Sequence, residues 1–453
     1  MVSDIVWEET LRKERTRKRL KREAKKAAKA ASARPPNYTA TPPLLKFLRE
    51  NFRGTNRLKY LNGERRWIIT IPKVFSLTEN PEESLDTIYS LLQIPRRHKA
   101  RQVWFDHRAC QHMDLGASAL LDVCVMNLRT EQLHRRHGYT FGGEFPKDEH
   151  VGNILRCMGI TKHLEVPGAE PPDSFDKTLV KFNLFRGHRN HSSPARGGSD
   201  QERASTELAL HLDKCLRRAA RRRLTPEAMS LIGNWAGEII TNAEEHSGKD
   251  MWFAIGYMEP PPIVAIDSTG EASTASECQL TIFNFGNTIH DTLTAPKTPD
   301  GTKADIGRLV DIHNRKNFFG ASERFTEPDL WTLYALQDGV SRFNEAPGSD
   351  DRGRGTVNMI HVCQTLGRSN DATKQPIMTL VSGSTRIVFD GTYPMRWKAF
   401  PEGARRIIAF NQHNDLEEKP DGKCVHSVSG RFPGTILTFK FFIDNMYQDL
   451  VEQ

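Results

Sequence analysis

"EIITNAEEHSG", Glu238–Gly248, sets a glutamate, an asparagine, two further acids and a histidine inside an apolar-leaning segment. Glu238, Asn242 and His246 fall at i, i+4 and i+8, which on a helix stacks them along one face. Upstream, Thr225 supplies an N-cap, Pro226 takes the first helical position and Glu227 lies in the first turn. Gly248 closes the segment. The spacing therefore predicts a helix over 225–248 with an apolar face and a polar stripe. Such a stripe is either a solvated surface or the floor of a polar site, and that choice decides what the C-terminal half of the chain is.

At 453 residues the chain exceeds one ordinary core, so two or three domains are expected. Hydrophobic residues make up 38%, with seven Trp and 23 Phe, enough to bury real cores. No run approaches the ~20 apolar residues of a membrane span, so no membrane association is expected. The opening MVSDIVWEET lacks an apolar h-region and argues against a secretory signal. Seven scattered cysteines with no CxxC pair read as reduced, buried thiols in a cytoplasmic protein, and disfavour a zinc site.

Charge is asymmetric. Residues 1–35 hold twelve Lys and Arg against five acids, which accounts for +7 of the formal +8. This stretch has strong helix formers but no apolar stripe wide enough to pack, so 1–36 reads as a basic helical or disordered arm ending at Pro35-Pro36. It is either a solubilising tail or, through residues 12–34, a contact for nucleic acid or another acidic partner by counterion release.

Residues 37–170 alternate strand and helix patterns, which defines an α/β layer arrangement. "RWIITIP" and "QVWFDHR" read as strands, and Leu115 begins a helix running to a Gly138 cap. "DEHVGNILRCMGITKHLEV" reads as a helix capped at Gly159 followed by a short strand. Residues 171–204, rich in Gly, Ser, Arg and His, read as a linker. Beyond it two helices precede the strand-like runs "MWFAIGYM", "PIVAIDS", "CQLTIFNFG", "IMTLVSG", "TRIVFDG" and "GTILTFKFFI". That order suggests an α/β sandwich over 205–453 with helices on one face.

Three separated stretches carry chemistry. Asn242 offers a neutral oxygen of the kind Mg²⁺ accepts beside phosphates, and Glu238 one turn earlier offers a general base. "LTIFNFGNTI" ends an apolar strand at Asn284 and Gly286, a turn where backbone can approach a flat ligand. "DRGRGTVNMI" sets Gly353 and Gly355 before an apolar helix, an anion seat to which Arg354 and Thr356 add charge and a hydroxyl.

In order and spacing these stretches resemble the GHKL (Bergerat) ATP-binding fold of histidine kinases, Hsp90-type chaperones, MutL-type ATPases and anti-sigma kinases. "EIITNAEEHSG" is similar to the N-box, which implies Glu238 as the catalytic glutamate and Asn242 as the Mg²⁺ ligand. "NFGNTI" corresponds to the adenine box, and it departs by carrying Asn284 where the family has aspartate. Asparagine can still accept from an amine through its carbonyl oxygen, without charge. "GRGT" resembles the second glycine box, and "FPGTILTFKF" the closing strand, which implies Thr435 beside the base. The polar stretch 290–350 would be the lid, with Lys303, Arg308, Arg315 and Lys316 as phosphate candidates. Residues around 100–167 resemble a STAS domain. Leu115 follows its turn aspartate, Asp114, where signalling members carry the phosphorylated Ser or Thr, and the nearest hydroxyl is Ser118.

The resemblance implies ATP and Mg²⁺ as cofactors and allows a homodimer. It implies a regulatory Mg-ATP-binding protein, a GHKL-type ATPase whose nucleotide state controls its STAS-like domain or partners. Two alternatives stand beside it: a serine kinase of the anti-sigma type acting on a STAS partner, and a non-hydrolysing nucleotide sensor that docks on nucleic acid. An intact Glu238 favours the ATPase, and the missing acceptor hydroxyl disfavours the kinase.

Overall fold

The computed structural model describes residues 41–95, 100–133, 140–164, 166, 169–189, 192–193, 198–220, 222–259, 276–317, 325–338, 340, 355–366, 374–400 and 403–443. The basic arm 1–36, the Gly138 cap and the strand-like "PIVAIDS" lie outside the described residues. The N-terminal helices are α1 (Pro43–Asn51), α2 (Pro81–Leu92), α3 (Leu115–Leu133), α4 (Glu149–Met158) and α5 (Ile160–Leu164). They surround a sheet of β1 (Lys59–Leu61), β2 (Arg66–Thr70), β3 (Gln102–Asp106) and β4 (Thr140–Glu144). These strands lie in that spatial order, β1 antiparallel to β2 and the rest parallel. Helix α5 stands where a strand was expected after Gly159.

The linker reading of 171–204 is corrected. It contains helix α6 (Asp173–Thr178) and strand β5 (Val180–His188), and helix α7 begins at Asp200 and runs to Ala220. β5 pairs antiparallel with β6 (Met251–Met258), so this stretch supplies a sheet edge. Its Gly- and Arg-rich flanks masked "VKFNLF", whose Phe182 is buried under α7.

The large sheet is completed by β7 (Ser276–Phe285), β8 (Ile377–Phe389) and β11 (Val425–Ile443), in the order β8-β11-β7-β6-β5, all antiparallel. A hairpin of β9 (Arg396–Phe400) and β10 (Gly403–Ile407) projects between β8 and β11 in sequence. "IMTLVSG" and "TRIVFDG" form one strand, β8, broken only by a bulge at Gly383.

Both faces of this sheet are buried, because side chains alternate with period two along strands that are apolar at nearly every position. Trp252, Ala254, Leu280, Ile282, Leu437 and Phe439 face a helix layer that includes α7 and α8 (Pro226–Ser247). Phe253, Tyr257, Phe283, Phe285, Phe432 and Ile436 face the opposite way, into one core with Phe52, Leu77, Leu115 and Leu120 of the N-terminal unit. The N-terminal unit and the sheet therefore share a core, where the sequence suggested helices on one face alone.

The N-terminus of α3 is the seam. Asp114 Oδ1 accepts from Ala117 N at 2.8 Å, and its Oδ2 accepts from Leu77 N at 2.7 Å and from the Ser76 hydroxyl at 2.6 Å. Leu115 N donates to Gln279 Oε1 of the sheet at 2.9 Å. A Cβ on Gly116 would lie 2.3 Å from Thr438 Oγ1, so only glycine lets the helix land this close. Asp114 is a buried helix cap, and both Leu115 and Ser118 are buried beside it.

Candidate functional site

Helix α8 follows the predicted ends. The Thr225 hydroxyl accepts from Ala228 N at 3.2 Å, and Gly248 takes the left-handed conformation at φ 65°. Trp235, Ala236, Ile239, Ile240 and Ala243 bury its apolar face. The opposite stripe, Asn234, Glu238, Thr241, Asn242 and Glu245, lines a cavity of about 850 Å³. Gln201 of α7 holds that stripe, its Nε2 donating to Thr241 Oγ1 at 2.6 Å. The side chain of His246 lies outside the described residues.

Three of the other segments that close the cavity carry residues singled out in the sequence. Helix α12 (Gly355–Leu366) brings Gly355 and Thr356 to it, β7 brings Asn284 and β11 brings Thr435. Gly355 stands over α8 so closely that its Cβ position is 3.5 Å from Glu238 Oε2 and 3.6 Å from Asn242 Nδ2. The first N–H groups of α12, which have no acceptor within the helix, therefore lie beside the carboxylate and amide. Ile282, Leu336, Met359, Leu380 and Leu437 add an apolar wall that suits a flat ring.

Six sequence-predicted residues thus meet: Glu238, Asn242, Asn284, Gly355, Thr356 and Thr435. Gly353 and Arg354 lie outside the described residues. Gly286 is not part of the cavity wall. At φ 144° it brings the end of β7 against the end of α8, and a Cβ there would fall 1.9 Å from Ser247 O. Its neighbour Asn287 does line the cavity and donates from its backbone N to Ser247 O at 2.7 Å. Asn234, Thr241 and Glu245 were absent from the sequence reading, although the i, i+4, i+7 and i+11 spacing from Asn234 carried them.

Asn284 is 4% exposed and engaged at both ends of its amide. Its Nδ2 donates to Ala243 O of α8 at 2.9 Å, and its Oδ1 accepts from Thr435 N at 3.1 Å. This explains asparagine here: a carboxylate has no N–H to give Ala243 O and would set two oxygens against each other. Asn284→Asp is accordingly expected to lower stability by about 1–3 kcal/mol, read as the urea midpoint at constant slope. Thr435 is fixed in turn, its hydroxyl 2.9 Å from that of Ser382, which also accepts from Ile289 N at 2.9 Å.

The charged wall residues are Glu202, Glu238 and Glu245, and among the described residues no Lys or Arg joins them. The lid candidates sit elsewhere. Arg308 pairs with Glu417 at 3.0 Å, and Lys303 reaches Pro296 O at 3.5 Å. The side chains of Arg315 and Lys316 lie outside the described residues. Within 290–350 run α9 (Ile289–Leu293), α10 (Asp300–Asn317) and α11 (Glu327–Tyr334); α11 buries Leu330, Trp331 and Leu333 and packs on β8, so that part is core. Glu244 is directed elsewhere too: burial holds its carboxyl above the ordinary range, and Trp252 Nε1 donates to it at 2.8 Å.

The donor set fits a hard divalent cation beside an anion: an amide oxygen and carboxylates on one helix face, opposite the N-terminal turn of another helix. No cluster of three or more His, Cys, Asp or Glu able to hold a metal alone occurs among the described residues, so a ligand would have to complete the coordination. No helix among the described residues is long and apolar enough to cross a membrane. Comparisons with protein-family models, curated proteins and solved structures find no match to this chain.

Proposed function

We propose that the chain is a regulatory Mg-ATP-binding protein of the GHKL type that hydrolyses ATP. One observation carries this reading: four segments distant in sequence place Glu238, Asn242, Asn284, Gly355, Thr356 and Thr435 on one cavity. Asn242 would hold Mg²⁺, and the first turn of α12 at Gly355 and Thr356 would receive the phosphates. The base would lie against Ile282 and Leu437, near Thr435. Bound Mg-ATP would supply the phosphoanhydride bond, and its Mg²⁺ the positive charge that offsets the acidic wall. Glu238, exposed at the cavity wall one turn before Asn242, would take a proton from water on its carboxylate. The shared core behind the sheet supports a regulatory role, because any movement of β7 or β11 bears on Leu115 and α3.

Titration calorimetry on the full chain tests this. ATP is expected to bind only with Mg²⁺ present, and Asn242→Ala to weaken that binding at least tenfold. With Asn284 occupied by Ala243 and Thr435, GTP is expected to bind within about tenfold of ATP, since each tenfold needs about 1.4 kcal/mol of discrimination. No heat for either nucleotide at millimolar concentration would remove the reading altogether.

A further inference from the structure

The corner where α7 turns into α8 lies apart from the cavity wall and carries the opposite charge. "KCLRRAARRR", Lys214–Arg223, holds six Lys and Arg and no acid. With the arm contributing +7 and this run +6 to a total of +8, the rest of the chain is net acidic, so the run is a positive spot on an acidic body. Lys214, Arg217, Arg218, Arg222 and Arg223 are all exposed, and Arg221 lies outside the described residues.

Neither the helix dipole nor local ion pairing accounts for this cluster. A helix C-terminus attracts cations, but α8 begins where α7 ends, with Thr225 as its cap, and its opposite dipole opposes that pull. Buried Asp213 answers only Arg217, accepting from its Nε at 2.6 Å and from Leu224 N at 2.8 Å. Glu227 in the first turn of α8 forms no ion pair with the run, and among the described residues no acid pairs with Lys214, Arg218, Arg222 or Arg223. Lys214 and Arg218 stand one turn apart on α7, where like charges destabilise a helix. The corner is nevertheless held in shape: Arg222 N donates to Leu216 O at 3.4 Å, and the Asp213–Leu224 bond closes the turn. Four uncompensated cations therefore sit together on a fixed mount.

We infer that this corner binds the phosphate backbone of a nucleic-acid duplex through Lys214, Arg218, Arg222 and Arg223, without reading sequence. Three of the four are arginines, whose forked donors match phosphate oxygens. The run contains no aromatic side chain on which an unpaired base could stack, which sets a duplex above a single strand. From Lys214 to the end of α7 the helix rises about 9 Å, a length over which a duplex offers several charges at one per about 1.7 Å. A lipid surface suits the corner less. Leu208, Leu212 and Leu216 of α7 are buried, and only Leu210 and Leu231, one on each helix, are exposed, too little to enter a bilayer interface. The inference does not rest on the nucleotide reading of the cavity.

The test is fluorescence anisotropy of a short labelled DNA duplex with the full chain over a salt series. Wild type is expected to bind. The combined variant Lys214→Ala, Arg218→Ala, Arg222→Ala, Arg223→Ala is expected to weaken binding at least tenfold. It should also reduce the slope of log affinity against log salt by about 3–4, because each duplex phosphate contact contributes about 0.9. A charge-matched control, Lys59→Ala, Lys147→Ala, Lys297→Ala, Lys423→Ala, removes exposed cations elsewhere and is expected to stay within twofold of wild type. The basic arm 1–36 is present in all three proteins, so its contribution cancels. The urea midpoint of the corner variant is expected to hold or rise, since like charges are removed, which separates lost binding from lost fold. The inference fails if wild type does not bind at low salt, if the corner variant changes the slope by less than about 1, or if the control loses as much. It also fails if corner-dependent binding goes to phosphatidylserine vesicles and not to the duplex.

Discussion

Glu238→Ala is expected to leave Mg-dependent ATP binding within a few-fold of wild type while lowering phosphate release by about 10²–10⁴-fold. The expectation follows from how the roles proposed for two side chains of α8 are divided. Asn242 is half-buried one turn on and would carry the ion, whereas Glu238 is exposed at the wall beside the start of α12. Removing the carboxylate leaves Asn242, the N–H groups of α12 and the apolar wall in place, so affinity should survive. Only the step in which water loses its proton is affected, which lowers kcat without raising KM. Single-turnover phosphate release beside calorimetry distinguishes the outcomes. Turnover unchanged by the substitution would rule out Glu238 as base, and joint loss of binding and turnover would make it a binding group. Glu238→Gln adds a check, since it keeps the shape and removes the basicity.

Gly286→Ala is expected to cost about 3 kcal/mol or more, among the larger effects of one added methyl group. Two penalties coincide. The residue is at φ 144°, where an L side chain is strained, and the new carbon would fall 1.9 Å from Ser247 O. That oxygen is backbone, held by Asn287 N at 2.7 Å, so it cannot swing aside as a side chain would. Gly286 N in turn donates to Pro433 O at 2.9 Å, which ties the same point to β11. Relaxation would have to part the end of α8 from the end of β7, and with it the Asn284–Ala243 contact. Urea unfolding at fixed slope measures the cost. A loss below 1 kcal/mol, with nucleotide binding abolished, would return Gly286 to the ligand-contact role implied by the resemblance.

Much of the machinery was legible in the residues. Thr225-Pro226-Glu227 and Gly248 mark both ends of α8 through local chemistry that needs no neighbour. The i, i+4 placement of Glu238 and Asn242 puts them on one face by helix geometry alone. The strands β6 and β7 were readable from "MWFAIGYM" and "CQLTIFNF". Their unbroken apolar character even carried a further message, burial on both faces. It could not say what covers the second face, because that depends on which distant surface is complementary.

β5 was hidden for a different reason. "VKFNLFRGH" is half polar and framed by Gly, Ser and Arg, and an edge strand owes its place to pairing with β6 more than to its own propensity. Asn284 shows the same division at one residue. The resemblance implied a place beside an adenine ring, but its amide is taken by Ala243 O and Thr435 N, partners 41 and 151 residues away.

By itself, then, the sequence determined the periodic elements, their caps and the polar stripe of α8, since those depend on contacts within a few residues. Tertiary structure alone decided that the stripe faces a cavity, that Gly286 packs and does not line it, and that the N-terminal unit forms the back of the sheet. Each of these rests on close packing and hydrogen bonds between segments far apart in the chain, where shape complementarity, invisible to local pattern, selects the partner.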